Sequence, residues 1–219
     1  MNPRVVIMGP QGAGKGTQSE RLAATYDIEH VTTGGILRAN KDMETEYGTP
    51  GEYMDRGELV PDEVMAAVVD EALSGLDGYV LDGYPRNMAQ AEYLAEIADP
   101  DLVLVVDVSE ETSVERLSGR RECVDCGRTY HVDFDPPVDD GVCDACGGEL
   151  IQREDDQPDA IRRRLEIYRE ETEPVVQFYR TETDVPVTTV DGEQTPDAVF
   201  ADVRAVVEEQ VAATGEATD

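Results

Sequence analysis

Short apolar runs alternate with longer amphipathic segments along this chain. Four runs are almost entirely apolar and a fifth is weaker; they lie at residues 4–9, 79–83, 102–108, 185–192 and, for the weaker one, 28–31. Continuous apolar runs of this length are typical of strands that are buried on both faces of a parallel sheet. The pattern therefore predicts a core of parallel strands.

Segments with helical spacing separate the runs. Leu22, Ala23 and Tyr26 recur at helical intervals, and a later segment begins at Pro61 and ends at Gly75, residue types that favour helix starts and stops. Further helices are expected from Ser109 to about residue 118, from Pro158 to about 181 and from Pro196 to about 213. The alternation predicts an α/β fold with a doubly wound parallel sheet, and residues 214–219 are expected to form a frayed tail.

Residues 121–156 interrupt this rhythm. The segment has no helical period and contains four cysteines, two adjacent prolines and a cluster of aspartates. We interpret it as a small module inserted into the α/β domain.

The length and composition fit a single domain. With 219 residues, 40% of them hydrophobic, the chain can form one α/β core with small insertions, whereas two full domains would be cramped. No run approaches the roughly 18 to 20 apolar residues of a membrane span, and the first residues lack the features of a signal peptide. We expect a cytoplasmic protein with no membrane partner, and a monomer.

The chain is strongly acidic. Its formal net charge is −31, from 49 acidic and 18 basic residues, and only Lys15 and Lys41 are lysines. Nucleic acid and anionic membranes would be repelled by this average field. The composition resembles that of proteins from salt-saturated cytoplasms, where the Debye length is about 3 Å at 1 M salt. A merely acidic protein from a low-salt cytoplasm is the alternative.

One of the two lysines lies in a glycine-rich loop, GPQGAGKGT, at residues 9–17. The loop fits the pattern G-x-x-x-x-G-K between a predicted strand and a predicted helix, as a phosphate-binding loop requires. Its glycines let backbone N–H groups point inward, the helix N-terminus adds a positive dipole end, and Lys15 supplies a full charge. A glycine-rich turn with no ligand is the weaker interpretation.

The four cysteines have the spacing of a zinc ribbon. Cys123 and Cys126 form one C-x₂-C pair, and sixteen residues later Cys143 and Cys146 form another. Four thiolates fill the tetrahedral shell of Zn²⁺, so the site is expected to be structural and His131 is expected not to be a ligand. Disulfides or free thiols are the alternatives, and a reducing cytoplasm disfavours disulfides.

The glycine loop and several other motifs resemble the nucleoside monophosphate kinases, and adenylate kinase most closely. These motifs are TTGGILR at 32–38, LDGYPR at 81–86, ERLSGRR at 115–121 and the cysteine module, and the resemblance covers roughly residues 4–206. It implies one P-loop domain over residues 1–219, a three-layer α/β fold with a central parallel sheet. A small helical insertion at 32–61 would bind the monophosphate, and residues 121–156 would form a zinc-bearing lid.

The resemblance also implies an activity, the transfer of a phosphoryl group from Mg²⁺-bound ATP to AMP to give two ADP. The ATP site would comprise Gly12, Ala13, Gly14, Lys15, Gly16, Thr17, Arg116, Arg120 and Gln194. The AMP site would comprise Thr33, Arg38, Gly83, Arg86, Gln90, Arg153 and Arg164. Lys15, Arg86, Arg120, Arg153 and Arg164 would be the catalytic residues, because this chemistry consists of aligning two nucleotides and neutralising charge.

Acidic residues have implied roles too. Asp82 would orient the water ligands of Mg²⁺, while Asp155 and Asp156 would position Arg153 and Arg164, the arginine pair of the lid hinge. The sequence departs from the family at Gly35, where an aspartate is usual, and at Gln11, where proline is common; Gly16, where the general loop signature has Ser or Thr, agrees with the family. The first departure removes one expected contact near magnesium.

Three other functions are weighed against this one. A kinase for UMP or CMP is disfavoured by Thr33, Gln90 and the long cysteine-bearing lid. An ATPase that works on a partner would need a hydroxyl directly after Lys15 and an acid that orients water, and neither is obvious. A zinc-ribbon module that binds nucleic acid is disfavoured by the acidity of residues 133–156.

Overall fold

The computed structural model describes residues 2–216, with side chains up to residue 213. Its strands are β1 Arg4–Met8, β2 Glu29–Thr32, β3 Tyr79–Asp82, β4 Leu102–Asp107, β5 Arg120–Cys123, β6 Thr129–His131, β7 Leu150–Ile151 and β8 Val187–Asp191. Its α-helices are α1 Lys15–Tyr26, α2 Thr33–Ala39, α3 Pro50–Asp55, α4 Asp62–Leu73, α5 Met88–Ile97, α6 Glu110–Ser118, α7 Pro158–Ile167, α8 Glu173–Glu182 and α9 Pro196–Glu216.

The central sheet has five parallel strands in the order β2-β3-β1-β4-β8. All five strands expected from the apolar runs are present. β1 is central, and its Val6 pairs with Leu81 on one side and Val103 on the other. The α/β fold with a central parallel sheet is therefore confirmed.

Helices cover both faces of the sheet, because successive strand residues point to opposite faces. Val6 and Met8 pack into one core with residues of α4, α5 and α8. Val5 and Ile7 pack into a second core with residues of α1 and α9. Burying each such side chain contributes about 1.5 to 3 kcal/mol, so the two cores fix the sheet edge from which the site residues project.

Two insertions extend from this three-layer core. Between β2 and α4 lie the short helices α2 and α3, and each is capped by a threonine: Thr32 accepts from the Gly35 N–H, and Thr49 forms a capping box with Glu52. Between α6 and α7, strands β5, β6 and β7 form a separate antiparallel sheet in the order β6-β5-β7. This second sheet has its own small core of Cys123, Tyr130, Cys143 and Leu150. We call the segment that forms this second sheet the lid; its first strand begins at Arg120, one residue before the boundary expected from the sequence.

The prediction of one continuous helix from Pro158 to about residue 181 is wrong, because the helix is interrupted in its middle. A π-helical turn at Tyr168–Thr172 separates α7 from α8, and the Glu173 N–H donates to the Tyr168 carbonyl five residues back. Pro174 follows in the first turn of α8 and has no N–H to donate, so a regular α-helical bond is missing at this point in any case. The spacing of the apolar residues does not reveal the π-helical turn, because the turn leaves the same face of the helix buried.

The C-terminal helix is longer than expected. α9 extends to Glu216, so the expected tail at 214–219 overlaps its last three residues, and residues 217–219 lie outside the described part. None of the helices within residues 2–216 is long and apolar enough to cross a membrane.

Candidate active site

The loops that follow β1, β3, β4 and β8 meet at the carboxyl edge of the central sheet. The Gly192 N–H after β8 donates to the Asp107 carbonyl at the end of β4 over 2.8 Å. Arg116 of α6 donates to the carbonyl of Gly192 over 2.9 Å and to that of Gly12 over 3.4 Å. One arginine thus joins the loop after β8 to the glycine loop, at the position where open α/β sheets bind ligands.

The glycine loop is shaped by close backbone packing as well as by unusual dihedral angles. Gly9 has φ of 139°, and a Cβ there would lie 2.1 Å from the Val106 carbonyl oxygen. Gly12 has φ of 85°, and a Cβ would lie 3.0 Å from the backbone of Ser113. Only glycine meets both conditions at each position, so the loop is held against β4 and α6.

Lys15 is the first residue of α1, and its side chain bends back over the loop. Its Nζ donates to the carbonyl of Gly9 over 2.7 Å and to that of Pro10 over 2.8 Å. Burial lowers the pKa of Lys15 to about 8; Asp82 opposes this shift, whereas Arg86, Arg164 and Arg120 add to it. The Lys15 ammonium is therefore close enough to three of the predicted arginines for their positive charges to act on it.

Asp82 is the last residue of β3 and lies beside the start of α1. Its Oδ2 would be 3.7 Å from a Cβ at Gly16, so a side chain at that position would be in ordinary contact with this carboxylate. The same oxygen is 3.7 Å from Nε2 of His30 on the neighbouring strand β2. Sequence reasoning did not identify His30, since a lone polar residue in a weak strand gives no signal.

A second cationic group lies near Asp82. Arg86 donates from Nε to the Gly83 carbonyl over 2.7 Å and from Nη2 to the Thr33 hydroxyl over 3.1 Å. Burial lowers the pKa of Arg86, Asp82 opposes the shift, and Arg164 adds to it. The structure therefore brings together Thr33, Gly83 and Arg86, which come from two separate motifs.

Arg38 and Gln90 lie beside this group. Arg38 is in the last turn of α2, and its Nη1 would be 3.2 Å from a Cβ at Gly34, so the guanidinium folds back towards the start of its helix. Gln90 is in the first turn of α5, and only 8% of its surface is exposed. Its amide Oε1 accepts from the Arg86 N–H over 2.8 Å.

Two lid-hinge arginines are bound to buried or half-buried carboxylates. Arg120 makes a two-pronged pair with Asp156, with N···O distances of 2.8 and 2.7 Å. Arg164 pairs with Asp155 at 3.0 Å and with Asp156 at 3.4 Å. Asp156 is fully buried. The contacts of Arg164 are those expected from the sequence, whereas the pair between Arg120 and Asp156 was not expected.

The third arginine of the lid hinge, Arg153, has a different partner from the one expected. It forms an ion pair with Glu122 of β5 rather than with Asp155 or Asp156. Burial lowers the pKa of Arg153, and Arg120 adds to that shift. Glu122 was missed because a single glutamate beside a cysteine carries no pattern.

The predicted ATP-site residue Gln194 lies in the loop between β8 and α9. Its amide donates to the Asp191 carbonyl over 3.1 Å and to the Asp202 carboxylate over 2.8 Å, so it contacts its own loop and helix rather than the glycine loop. The adjacent Glu193 accepts from the Ser109 N–H over 2.6 Å and from the Thr112 hydroxyl over 2.5 Å. Those bonds lower the pKa of Glu193 and hold this loop against the start of α6.

The four lid cysteines converge. Their Sγ atoms all lie within 4.8 Å of one another, and no disulfide joins any two of these four cysteines. Each pair turns in the same way: the Gly127 N–H donates to the Cys123 carbonyl over 3.0 Å, and the Gly147 N–H donates to the Cys143 carbonyl over 2.8 Å. Zn²⁺ binds four thiolate sulfurs tetrahedrally, with Zn–S distances of about 2.3 Å. Four sulfur atoms this close together therefore fit a Zn²⁺ ion.

The fold and the loop define a P-loop protein, and comparisons with known proteins place it more closely. The family model for adenylate kinase matches residues 7–184. Proteins named adenylate kinase from Haloarcula marismortui and Halobacterium salinarum are each 54% identical over 216 residues, covering 96% of this chain and 99% of the relative. One from Thermoanaerobacter sp. is 43% identical over 210 residues, covering 92% and 96%. The chain belongs to the adenylate kinase family and is a phosphotransferase.

Proposed function

We propose that the protein transfers the terminal phosphoryl group of Mg²⁺-bound ATP to AMP, giving two ADP. One observation carries this proposal: Asp82 lies close to two separate cationic groups. One is the glycine loop with Lys15, and the other is Arg86 with Thr33 and Gly83. A single-nucleotide enzyme would need only the first of these.

The donor site is built on the glycine loop. Backbone N–H groups of residues 12–17 and the positive end of α1 would hold the phosphates of ATP, with Lys15 as the mobile charge. Arg116 lies where the glycine loop and the loop of Gln194 meet, which suits contact with the adenine of ATP. Lys15 would exchange its two carbonyl partners for phosphate oxygens.

The acceptor site is built on the helical insertion and the loop after β3. Arg38 and Arg86 would grip the phosphate of AMP, because planar guanidinium groups can donate two parallel bonds to phosphate oxygens. Thr33 accepts from Arg86, and Gln90, which is bonded to the Arg86 N–H, would contact the base. AMP would then point its phosphate at Asp82 and Lys15.

Arginines of the lid hinge would complete the charge neutralisation. Arg120, Arg153 and Arg164 are held by carboxylates in this structure and would reach both nucleotides when the lid closes. Phosphoryl transfer needs alignment and electrostatic stabilisation more than a general base. Closure would also exclude water, so that AMP accepts the phosphoryl group instead.

Two metals are implied. Mg²⁺ would bridge phosphate oxygens of ATP and neutralise their charge, and Asp82 would hold its water ligands; Gly35 offers no carboxylate there. Zn²⁺ would be held by Cys123, Cys126, Cys143 and Cys146 as a structural ion of the lid. We also propose a cytoplasmic monomer that binds no nucleic acid and works at high salt, in keeping with the charge of −31.

A coupled assay of ATP with each nucleoside monophosphate in molar KCl tests this function. We expect AMP to be the preferred acceptor and the reaction to require Mg²⁺. A preference for CMP or UMP would show a kinase of different specificity, and hydrolysis of ATP that ignores every monophosphate would refute the proposal.

A further inference from the structure

A closed hydrogen-bond network surrounds Gln90. The Arg86 N–H donates to Gln90 Oε1 over 2.8 Å, and Gln90 Nε2 donates to Asp62 Oδ1 over 2.6 Å. Asn87 Nδ2 donates to Asp62 Oδ2 over 2.8 Å, while Asn87 Oδ1 accepts from the Gln90 N–H over 2.9 Å. The Arg86 peptide is itself anchored, since its carbonyl accepts from the Thr172 hydroxyl over 2.7 Å.

The partners of Gln90 allow its amide only one orientation. A backbone N–H can only donate, so the amide oxygen must face Arg86. The carboxylate of Asp62 can only accept, so the amide nitrogen must face Asp62. The same reasoning fixes Asn87, whose oxygen must face the Gln90 N–H. Asp62 therefore accepts from both amides and, together with the Arg86 N–H, holds Gln90 in this orientation; of the two, only Asp62 is a side chain that can be substituted.

Because the Gln90 amide is held in one orientation, it presents its free acceptor and its free donor to a ligand in one order. One lone pair of Oε1 and one hydrogen of Nε2 stay available, as an acceptor followed by a donor. The edge of adenine offers the complement, the 6-amino donor and the N1 acceptor. Hypoxanthine has the same shape but offers a 6-carbonyl acceptor and an N1–H donor, so it would meet the amide with both groups mismatched.

We propose that Asp62 is a positioning residue that sets the base specificity of the acceptor site by holding Gln90 in the orientation that accepts AMP and rejects IMP. This proposal rests on the proposed function, since it takes Gln90 as the residue that contacts the acceptor base. Asp62 lies at the start of α4, so the helix that leaves the monophosphate-binding insertion also carries the specificity element.

The substitution Asp62→Asn puts a donor into the network. If the introduced amide turned its oxygen to Asn87, its nitrogen would face Gln90 and favour the flipped amide of Gln90, the orientation that suits hypoxanthine, with the mismatch moved to the Arg86 N–H. If the introduced amide turned its oxygen to Gln90 instead, two donors would face each other at Asn87. Each arrangement has one mismatch, so both would be populated.

The test compares kcat/KM for AMP and for IMP, with ATP as donor, in wild type, Asp62→Asn and Glu63→Gln. Glu63 is a matched control because it lies in the same first turn of α4, loses the same charge and is exposed. In Asp62→Asn we expect the AMP-to-IMP ratio of kcat/KM to fall about tenfold or more, mostly through the KM for the acceptor. The Glu63→Gln ratio should equal that of wild type.

A third variant, Asp62→Ala, separates positioning from packing. Alanine removes one constraint on Gln90 but adds no competing donor, so its AMP-to-IMP ratio should fall less than that of Asp62→Asn, although alanine removes more packing. Equal loss of both acceptors in Asp62→Asn, an unchanged ratio, or a larger fall in the alanine variant would overturn the proposal while leaving the proposed function intact. A wild-type enzyme that uses neither AMP nor IMP would overturn both.

Discussion

The glycine loop and the lid hinge would both present cations to phosphate in the proposed function, but the protein holds those cations in different ways. Lys15 is bonded to two neutral carbonyls of its own loop. Arg120 and Arg164 are bonded to carboxylates of the segment that leaves the lid. The loop is therefore preorganised by backbone geometry, whereas the hinge is organised by charge pairs with which a nucleotide must compete.

This difference suits the two tasks. A backbone nest whose glycines are fixed against β4 and α6 can bind phosphate without rearranging. Arginines that are paired with carboxylates in the absence of nucleotide avoid unpaired charge in a partly buried site, and we expect phosphate oxygens to replace the carboxylates when nucleotide binds. Removing one cation from the loop should therefore affect chemistry, while removing one anion from the hinge should affect stability.

The largest effect is expected for Lys15→Met. The substitution removes the charge that faces the transferred group, so kcat/KM should fall about a thousandfold, which corresponds to about 4 kcal/mol. Lys41→Met is the matched control, because Lys41 is the only other lysine and is exposed. A loss of less than about tenfold, measured by steady-state kinetics, would mean that Lys15 does not contact the reacting phosphate.

Asp156→Asn should act mainly on stability. It leaves Arg120 beside a fully buried neutral amide, so the free energy of unfolding should drop by about 3 kcal/mol in urea titrations. Asp159→Asn is the control: its surface pair with Arg162 spans 3.4 Å and Asp159 is wholly exposed, so the change should stay within about 0.5 kcal/mol. Equal effects of the two substitutions would refute the ordering role of Asp156.

Metal removal should act on the lid and not on the loop. A zinc-selective chelator should lower the melting temperature by about 5 °C, which corresponds to about 2 kcal/mol for a domain of this size. Nucleotide binding at the glycine loop should persist, because the loop packs against β4 and α6 rather than against the lid. Elemental analysis that finds no zinc in the purified protein would contradict the premise.

The smallest effect concerns pH. Lys15 has its pKa lowered to about 8, so in the free enzyme it loses its charge above that pH, whereas the arginines stay charged. ATP affinity should therefore fall severalfold between about pH 8 and 9, and AMP affinity should change less. Stability should change in the opposite direction with pH. Lys15 binds its proton more tightly in the unfolded chain than in the folded protein, so the free energy of unfolding should rise between about pH 8 and 10.5.

Calorimetric titrations at several pH values check this prediction, with Lys15→Met as the control. An ATP affinity that is flat across the interval in wild type, or that falls equally in the variant, would show that Lys15 is not the titrating group.

Much of this structure was predictable from local sequence. The apolar runs locate all five strands of the parallel sheet, and Ser109 caps α6 as expected. The spacing of the four cysteines predicts their convergence, because two tight turns and a short hairpin can bring them together. These features depend on periodicity and on turn geometry, which neighbouring residues determine.

The partner acids were not predictable in the same way. Asp62 lies 28 residues from Gln90 along the chain, and Glu193 lies 84 residues from Ser109. With 49 acidic residues in the chain, no local pattern shows which carboxylate will face a given donor. Only the packing of α4 against α5, or of the β8 loop against α6, selects the partner.

The most direct test of the central claim is the number of nucleotides that one chain binds. Calorimetric titration of the protein with ADP and Mg²⁺ in molar KCl should give two sites per chain, and Lys15→Met should weaken one of them while leaving the other in place. Saturation at one nucleotide per chain in wild type would contradict the account, because the glycine loop and the Arg86 arrangement would then serve a single ligand.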